Sequence, residues 1–459
     1  MDTKNECDAE ICLVTDDKPP PTDPATTRKR FLMLFLSCLL CIGSYFAYDN
    51  PAALEVQLKH KMNMSSIEYN MLYSIYSFPN IVFPLIGGFL MDKFGSRALI
   101  YASSAFVTIG QAIFAFGVSI NSFPIALLGR GVFGCGGENL DIAQSVIVIG
   151  WFTGKELSMA FGLNSTLSLL GSVLNDNIEP IIVSFSNVTT GLWVGFLVCV
   201  ASFIAAIFLN TMDKRRDKLL GIKEKSELPE SERFRFKDIK EFSALFWILL
   251  VNCIAVDTSV YCFGYIASGF YQTRFHYDYV QAGSIMSITF FISAIFCPLI
   301  GFITDRIGKR VIFIMVSAVC VTLFHFCCMF TPDSYRPIYP ILYLVLLGLG
   351  YSIYVTVYWA AISYIVEPKL IGTAFGTTYA VSNLGLVVFP ILIGYIQDNS
   401  SADHGYYWVS FCLGVTGSLG IVTGVIVYIM DTKQGGILHS ADPVARKKEL
   451  EPSKICTIS

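Results

Sequence analysis

Long apolar runs dominate the chain, and their apolar positions fill whole helical turns rather than one face. A run of roughly 17–25 such residues, rising about 1.5 Å per residue as a helix, crosses a hydrocarbon core of about 30 Å. Twelve runs of this kind are expected, at 31–48, 67–91, 98–119, 124–148, 158–182, 191–211, 243–267, 281–303, 311–330, 338–364, 372–396 and 405–430. The run at 158–182 is the most dilute, because Asn175, Asp176 and Glu179 fall in its last turns. The first run follows Arg28-Lys29-Arg30 with no small-residue cleavage site after it, so it reads as a retained helix, not a removed signal. The expected organisation is a tail at 1–30, six helices at 31–211, a charged loop at 212–242, six more helices at 243–430 and a tail at 431–459.

Composition agrees with an all-α membrane protein. Hydrophobic residues make up 54% of the 459-residue chain and charged ones only 15%, against about 25% charged in soluble domains. A soluble multidomain protein, a disordered chain and a nucleic-acid binder are excluded together. The net charge of −3 matters less than where the charges lie. With both ends cytosolic, 27 of the 32 basic residues fall on the cytosolic side; Lys59, Lys61, Arg274 and Arg336 fall opposite, and Arg130 lies within a run. This asymmetry fixes the orientation. Asn-x-Ser/Thr sites at Asn63, Asn187 and Asn399 all fall in loops that this orientation places outside the cytosol, while the fourth, Asn164, falls inside a run. The fourteen cysteines are scattered, and Cys38-x-x-Cys41 has no histidine nearby, so the pair reads as small apolar filler and no metal site is expected.

The chain repeats itself. Gly88-x-x-x-Asp92-Lys93-x-Gly95-x-Arg97 returns 213 residues later as Gly301-x-x-x-Asp305-Arg306-x-Gly308-x-Arg310. Ala160-Phe161-Gly162 with Gly171 returns as Ala374-Phe375-Gly376 with Gly385, and Gly134 and Gly136 align with Gly348 and Gly350. Two pseudo-symmetric six-helix bundles are the economical reading. In the doubled motif the first Gly allows close helix approach and the Asp ends a helix where it can pair with a basic neighbour. The second Gly makes the turn and the Arg anchors the next helix. Such a network can hold cytosolic helix ends together in one state and free them in another. No P-loop, ATP-binding domain or enzyme signature accompanies it, so no cofactor is expected and the chain reads as a non-enzyme.

The doubled motif, the twelve runs and Gly129-Arg130-Gly-x-x-Gly134 resemble the major facilitator superfamily. Gly43-Ser-Tyr-Phe-Ala-Tyr48-Asp49-Asn50-Pro51, Gly134-x-Gly136-Gly137-Glu138-x-Leu140, Trp151-Phe-x-Gly-Lys155-Glu156-Leu157 and Gly372-Thr-Ala-x-Gly376 narrow the likeness to its lysosomal dipeptide transporter family, from about Phe31 to Gly436. The resemblance implies a lysosomal uniporter that releases cationic dipeptides to the cytosol. It also implies a homodimer and a glycosylated lysosomal membrane partner, and a basic residue in the fifth helix where this chain has Leu169.

Ionisable groups at membrane depth cost roughly 2.5–3.5 kcal/mol on insertion scales and are candidate functional residues. Glu138, Arg130, Asp141 and Asp257 are the candidates here, with Trp359 as a cap for a cationic solute. Arg130 and Glu138 share a helix face but stand about 12 Å apart along it, too far to pair. Helix-packing roles remain open for each of these residues. Tyr48 and Asp49 are expected to close the first helix in a turn, and His325 to be a satisfied core residue. A proton-coupled symporter and a non-transporting sensor with the same fold remain alternatives. The tail segment Asp8-Ala-Glu10-Ile-Cys-Leu13-Val14 only approximates an acidic dileucine sorting signal. A lysosomal or endosomal location therefore rests on the resemblance, with plasma membrane and Golgi open.

Tags on both termini should be reachable only from the cytosol, and any N-glycan should sit on Asn63, Asn187 or Asn399. Protease protection with single Asn→Gln variants checks both, and a protected C-terminal tag would mean an odd number of crossings.

Overall fold

The structure, a computed structural model, describes residues 23–152, 155–221, 238–367, 370–400 and 405–443. Its N-terminal half contains α1 (Lys29–Ala53), α2 (Glu55–Met62), α3 (Ser66–Ser77), α4 (Phe83–Ser119), α5 (Phe123–Gly134), α6 (Gly137–Trp151), α7 (Lys155–Phe185) and α8 (Val188–Leu220). Its C-terminal half contains α9 (Ala244–Gly269), α10 (Tyr279–Ile307), α11 (Arg310–Phe330), α12 (Tyr339–Ile365), α13 (Ile371–Asn399) and α14 (Tyr406–Lys433). There is no strand among the described residues. The sorting-like segment at Asp8–Val14 and the loop at 222–237 lie outside the described residues.

Among the described residues, nine helices are long and apolar enough to cross a membrane. The other three expected runs are helical as well. The second is built from α3, a 3-10 turn at Pro79–Ile81 and the start of α4; the fourth from α5 and α6; the fifth is the polar-ended α7. Helix α4 is itself two helices joined at Gly95, whose φ of 79° turns the chain between the second and third runs. The helices are therefore consistent with twelve crossings.

Two local expectations need correction, and the most dilute run proves well packed. Helix α1 continues to Ala53, so Tyr48 and Asp49 are helical rather than in a turn, and Asp49 is buried. Helix α8 continues past residue 211 to Leu220, because Arg97 bonds Asp213 and Asp217 and the Trp151 indole donates to Asp213 at 2.8 Å. The polar end of α7 is packed, not frayed. Asn175, Asp176 and Glu179 are all 0% exposed, and Gln111, Asn50 and Asn175 form a chain of amide donors that ends on Asp176.

Within the N-terminal half α1 packs on α7 and α8, and α4 on α5; within the C-terminal half α11 and α9 pack on α14, and α10 on α12. The halves meet along α3 with α13 and α7 with α10. Glycines set how close they come: a Cβ on Gly283 would lie 2.2 Å from the Asp176 carbonyl oxygen, and one on Gly394 2.7 Å from the Ile67 Cα.

Hydrogen bonds between the halves gather toward the non-cytosolic ends. The Asp398 carboxylate, on α13, accepts from the Ser66 and Ile67 N–H groups at 2.8 and 2.9 Å, capping the start of α3 from the opposite half. The Glu55 carboxylate accepts from the Gly269 N–H at 2.8 Å, and Ser268 donates to the Ala53 carbonyl. Gln57 meets Gln272, and the Tyr48 and Tyr265 hydroxyls meet at 2.6 Å. The molecule is thus closed at the end of the bundle that carries α2, the end the charge asymmetry predicts to be non-cytosolic.

Glu55 makes this closure pH-dependent. Burial pushes its carboxyl from the ordinary 4.5 up to about 7, against the opposing pull of Lys59 and the Gly269 N–H. The Tyr406 hydroxyl stands at the same spot and Tyr69 lies within electrostatic range. An opened state exposes Glu55 and lets it ionise near its ordinary value. The closed state keeps the proton until about 7, so closure is favoured in acid and weakens as pH rises across that window. Distances between probes on α2 and the end of α9 should lengthen from pH 4.5 to 7, and Glu55→Gln should flatten that response. An unchanged response in the variant would assign the pH dependence to another group.

Candidate functional site

Three carboxylates converge from the two halves. Glu138 stands in the first turn of α6, just after the chain is interrupted at Cys135 and Gly136. It is half-buried and no described residue hydrogen-bonds it. Glycines make the interruption possible. A Cβ on Gly134 would lie 2.2 Å from the Tyr76 carbonyl oxygen, on Gly136 2.3 Å from that of Ser103, and on Gly137 2.3 Å from the Tyr76 hydroxyl. With no Cβ, α3 and α4 close around the break, and the new helix start favours a negative group at Glu138.

Asp141, one turn on, accepts from the Tyr45 hydroxyl at 3.2 Å and the Cys41 thiol at 3.4 Å, both on α1. Asp257, from α9, accepts from the Ser382 hydroxyl of α13 and the Cys253 thiol, which in turn accepts from the Tyr354 hydroxyl at 2.9 Å. Asp141 and Asp257 lie within electrostatic range of Glu138, and the Tyr379 hydroxyl within range of all three. Trp359 lies 4.6 Å from the Tyr379 ring and 5.6 Å from that of Phe375, so it extends an aromatic wall with α13.

Arg130 is used otherwise. It is 0% exposed and makes no ion pair among the described residues. Its guanidinium donates to the Ala47 and Tyr48 carbonyls at 3.3 and 3.2 Å. The rings of Tyr48, Tyr73, Tyr76, Phe114 and Phe133 surround it at 5.2–5.8 Å. Pro51 explains the position. It has no N–H for the Ala47 carbonyl four residues back, and Arg130 supplies one. The cation is held by backbone and aromatic faces.

Sequence reasoning missed Tyr45, Cys41, Tyr379 and Ser382. Cys41 and Tyr45 stand four residues apart on α1 and so share a face, a signal that was present in the sequence. Cys41 is thus more than filler, whereas Cys38 is buried among apolar groups. Among the described residues no group of His, Cys, Asp and Glu could hold a metal ion. His325 lies in the core with its Nε2 on the Ser259 carbonyl at 2.9 Å. Leu169 is 7% exposed and belongs to the apolar core. Carboxylates, phenols and thiols beside aromatic faces, without a free cation, suit a positively charged solute.

The major facilitator superfamily model matches residues 33–390. The chain belongs to that superfamily. It is 34% identical over 442 residues to the lysosomal dipeptide transporter MFSD1 of Homo sapiens, covering 94% of this chain and 92% of that one. The Mus musculus protein of that name is 36% identical over 442 residues, covering 94% and 93%. Among solved structures, the nucleoside transporter NupG aligns with a TM-score of 0.68 at 13% identity, over 87% of this chain and 99% of that one. A POT family transporter in complex with a thioalcohol-conjugated peptide aligns with a TM-score of 0.67 at 13% identity, over 87% and 96%. At such identities the structures share the fold with this chain. It is a multi-pass membrane protein with the major facilitator fold.

In a major facilitator the doubled cytosolic motif sits at corresponding places in the two halves. Gly95 and Gly308 both turn the chain at positive φ, 79° and 70°, a region that costs any residue with a Cβ. Arg97 bonds Asp213 and Asp217 on α8. Arg310 is 2% exposed; it pairs with Asp305 at 3.5 Å, donates to the Ser440 carbonyl and lies over the Tyr364 ring. Arg306 lies over the Phe302 ring, and Gly301 meets the Thr356 methyl. These bonds stay within each half. Gly88 and the Asp92 side chain lie outside what is described. Asn63, Asn187 and Asn399 are all exposed, ending α2, capping α8 and ending α13, whereas Asn164 is buried against Gln144.

Arg130→Met keeps bulk but leaves the Ala47 carbonyl, which Pro51 cannot serve, without a donor. A buried orphaned group costs about 1–3 kcal/mol, so thermal unfolding in detergent should fall by several degrees. A stable variant with weakened solute affinity would instead place Arg130 in contact with the solute.

Proposed function

We propose that this major facilitator is a lysosomal transporter that carries cationic dipeptides from lumen to cytosol, by alternating access and as a uniporter, and that it is not an enzyme. The convergence of Glu138 and Asp141 from one half with Asp257 from the other supports this reading best. Major facilitators bind substrate at the seam between their repeats, near the membrane midplane. A solute bound there bridges the halves and biases how they rock. The relatives' lysosomal dipeptide transport names the solute class and the organelle for this chain. A homodimer, glycans on Asn63, Asn187 and Asn399, and a glycosylated membrane partner belong to the same reading.

Glu138 has the most direct role in it, because no described neighbour neutralises or hydrogen-bonds its carboxylate. Asp141 and Asp257 deepen the negative site, and Trp359 offers a ring face to the solute's cation. Proton coupling is the competing reading, and the same lone carboxylate of Glu138 would serve it.

Glu138→Gln keeps shape and removes charge. Flux of a lysine-containing dipeptide in vesicles should fall about tenfold or more, about 1.4 kcal/mol, with abundance and sorting kept. Proton coupling predicts a different pattern, in which pH-driven accumulation is lost but solute exchange survives. Normal flux with normal pH dependence would remove Glu138 from the site.

A further inference from the structure

The central site is lopsided in charge. Glu138, Asp141 and Asp257 supply three carboxylates from both halves. Asp141 is moderated by a phenol and a thiol, and Asp257 by a hydroxyl and a thiol, none of them a cation. Among the described residues the basic side chain at this depth is Arg130, and it is withheld. Fully buried, it gives its hydrogens to the α1 carbonyls and its faces to five rings. Leu169 on α7 is apolar and packed into the core. The remaining anion-attracting feature, the start of α6, is closed by Tyr76 and Ser103, which fill the space a Cβ would need at Gly137 and Gly136. Its first turn already carries Glu138.

A zwitterionic dipeptide brings a carboxylate as well as its amines. In this site that carboxylate finds no counter-charge and meets like charges in a medium that screens them weakly. We infer that the site recognises the positively charged nitrogens of its solute and leaves the carboxylate unrecognised. Its substrate class is then the small oligo-amine: cationic dipeptides, their C-terminal amides and carboxylate-free diamines. This rests on the site assignment proposed above and adds its selectivity.

The test uses the full-length protein in proteoliposomes with four probes: lysyl-alanine, its Nα-acetyl derivative, lysyl-alaninamide and 1,5-diaminopentane. The amide should be carried with a KM equal to that of lysyl-alanine or up to about tenfold lower, and the diamine should compete with both. N-acetylation of the lysyl α-amine should raise KM about tenfold or more. A tenfold rise in KM for the amide would reveal a carboxylate-binding group and overturn the inference. Thermal stabilisation of the purified protein separates this from failure of the dipeptide reading. If no dipeptide is carried but the diamine stabilises the wild type and not Glu138→Gln, the selectivity stands and the dipeptide assignment falls. If the diamine neither competes nor stabilises, the selectivity falls, whatever the dipeptide does.

Discussion

In hydrocarbon every backbone N–H and C=O must find a partner within the protein, and the rest of this structure follows from how three interrupted helices meet that demand. Pro51 orphans the Ala47 carbonyl in α1, and Arg130 serves it together with that of Tyr48. The Tyr69 hydroxyl donates to the Pro51 carbonyl. Before the 3-10 turn at Pro79–Ile81, the Asn80 amide turns back to the Tyr76 carbonyl at 3.1 Å. The third interruption, between α5 and α6, closes around glycine. The first two breaks are therefore served by side chains, and the third lets α3 and α4 pack against its glycines, which sets Tyr76 between Arg130 and the start of α6.

Spending Arg130 on the backbone has an electrostatic consequence. A buried carboxylate next to a guanidinium forms an ion pair that competes with any incoming cation. Here Asp141 is met by Tyr45 and Cys41 and Asp257 by Ser382 and Cys253, neutral donors that orient these two carboxylates without cancelling their charge. Desolvating three acids is expensive, and a cationic solute offsets part of that cost when it enters. The same chemistry gives affinity to the site and a reason for its two walls to close on an occupant.

The membrane class and the two halves were legible because each depends on something linear: run length, or a motif repeated at a fixed offset. Glu138, Asp141 and Asp257 were legible as charges in apolar surroundings. The role of Arg130 was not, since its ring cage is assembled from α1, α3, α4 and α5. Nor was the burial of Asn175, Asp176 and Glu179, whose polarity lowers any hydropathy average while Asn50, which bonds Asn175, and Gln111, which bonds Asn50, lie far away in sequence. The contact of Asp398 with the start of α3 joins residues 332 apart. No periodicity encodes such a pair.

The repeat also shows why one sequence symmetry can serve two states. Gly162 and Gly376 are equivalent by sequence, yet a Cβ on Gly162 would meet nothing within 4 Å while one on Gly376 would lie 3.1 Å from the Pro84 carbonyl oxygen. Corresponding positions of the repeat thus meet different surroundings in the two halves. The bonds of Arg97 to Asp213 and Asp217 and of Arg310 to the Ser440 carbonyl each lie within one half and brace it. What joins the halves is concentrated in Asp398, Glu55 and the glycines of α10 and α13, toward the non-cytosolic side. Rigid bundles joined mainly toward one end can rock about the seam without repacking either core, and exchanging the engaged partners of the repeat moves the opening to the other face.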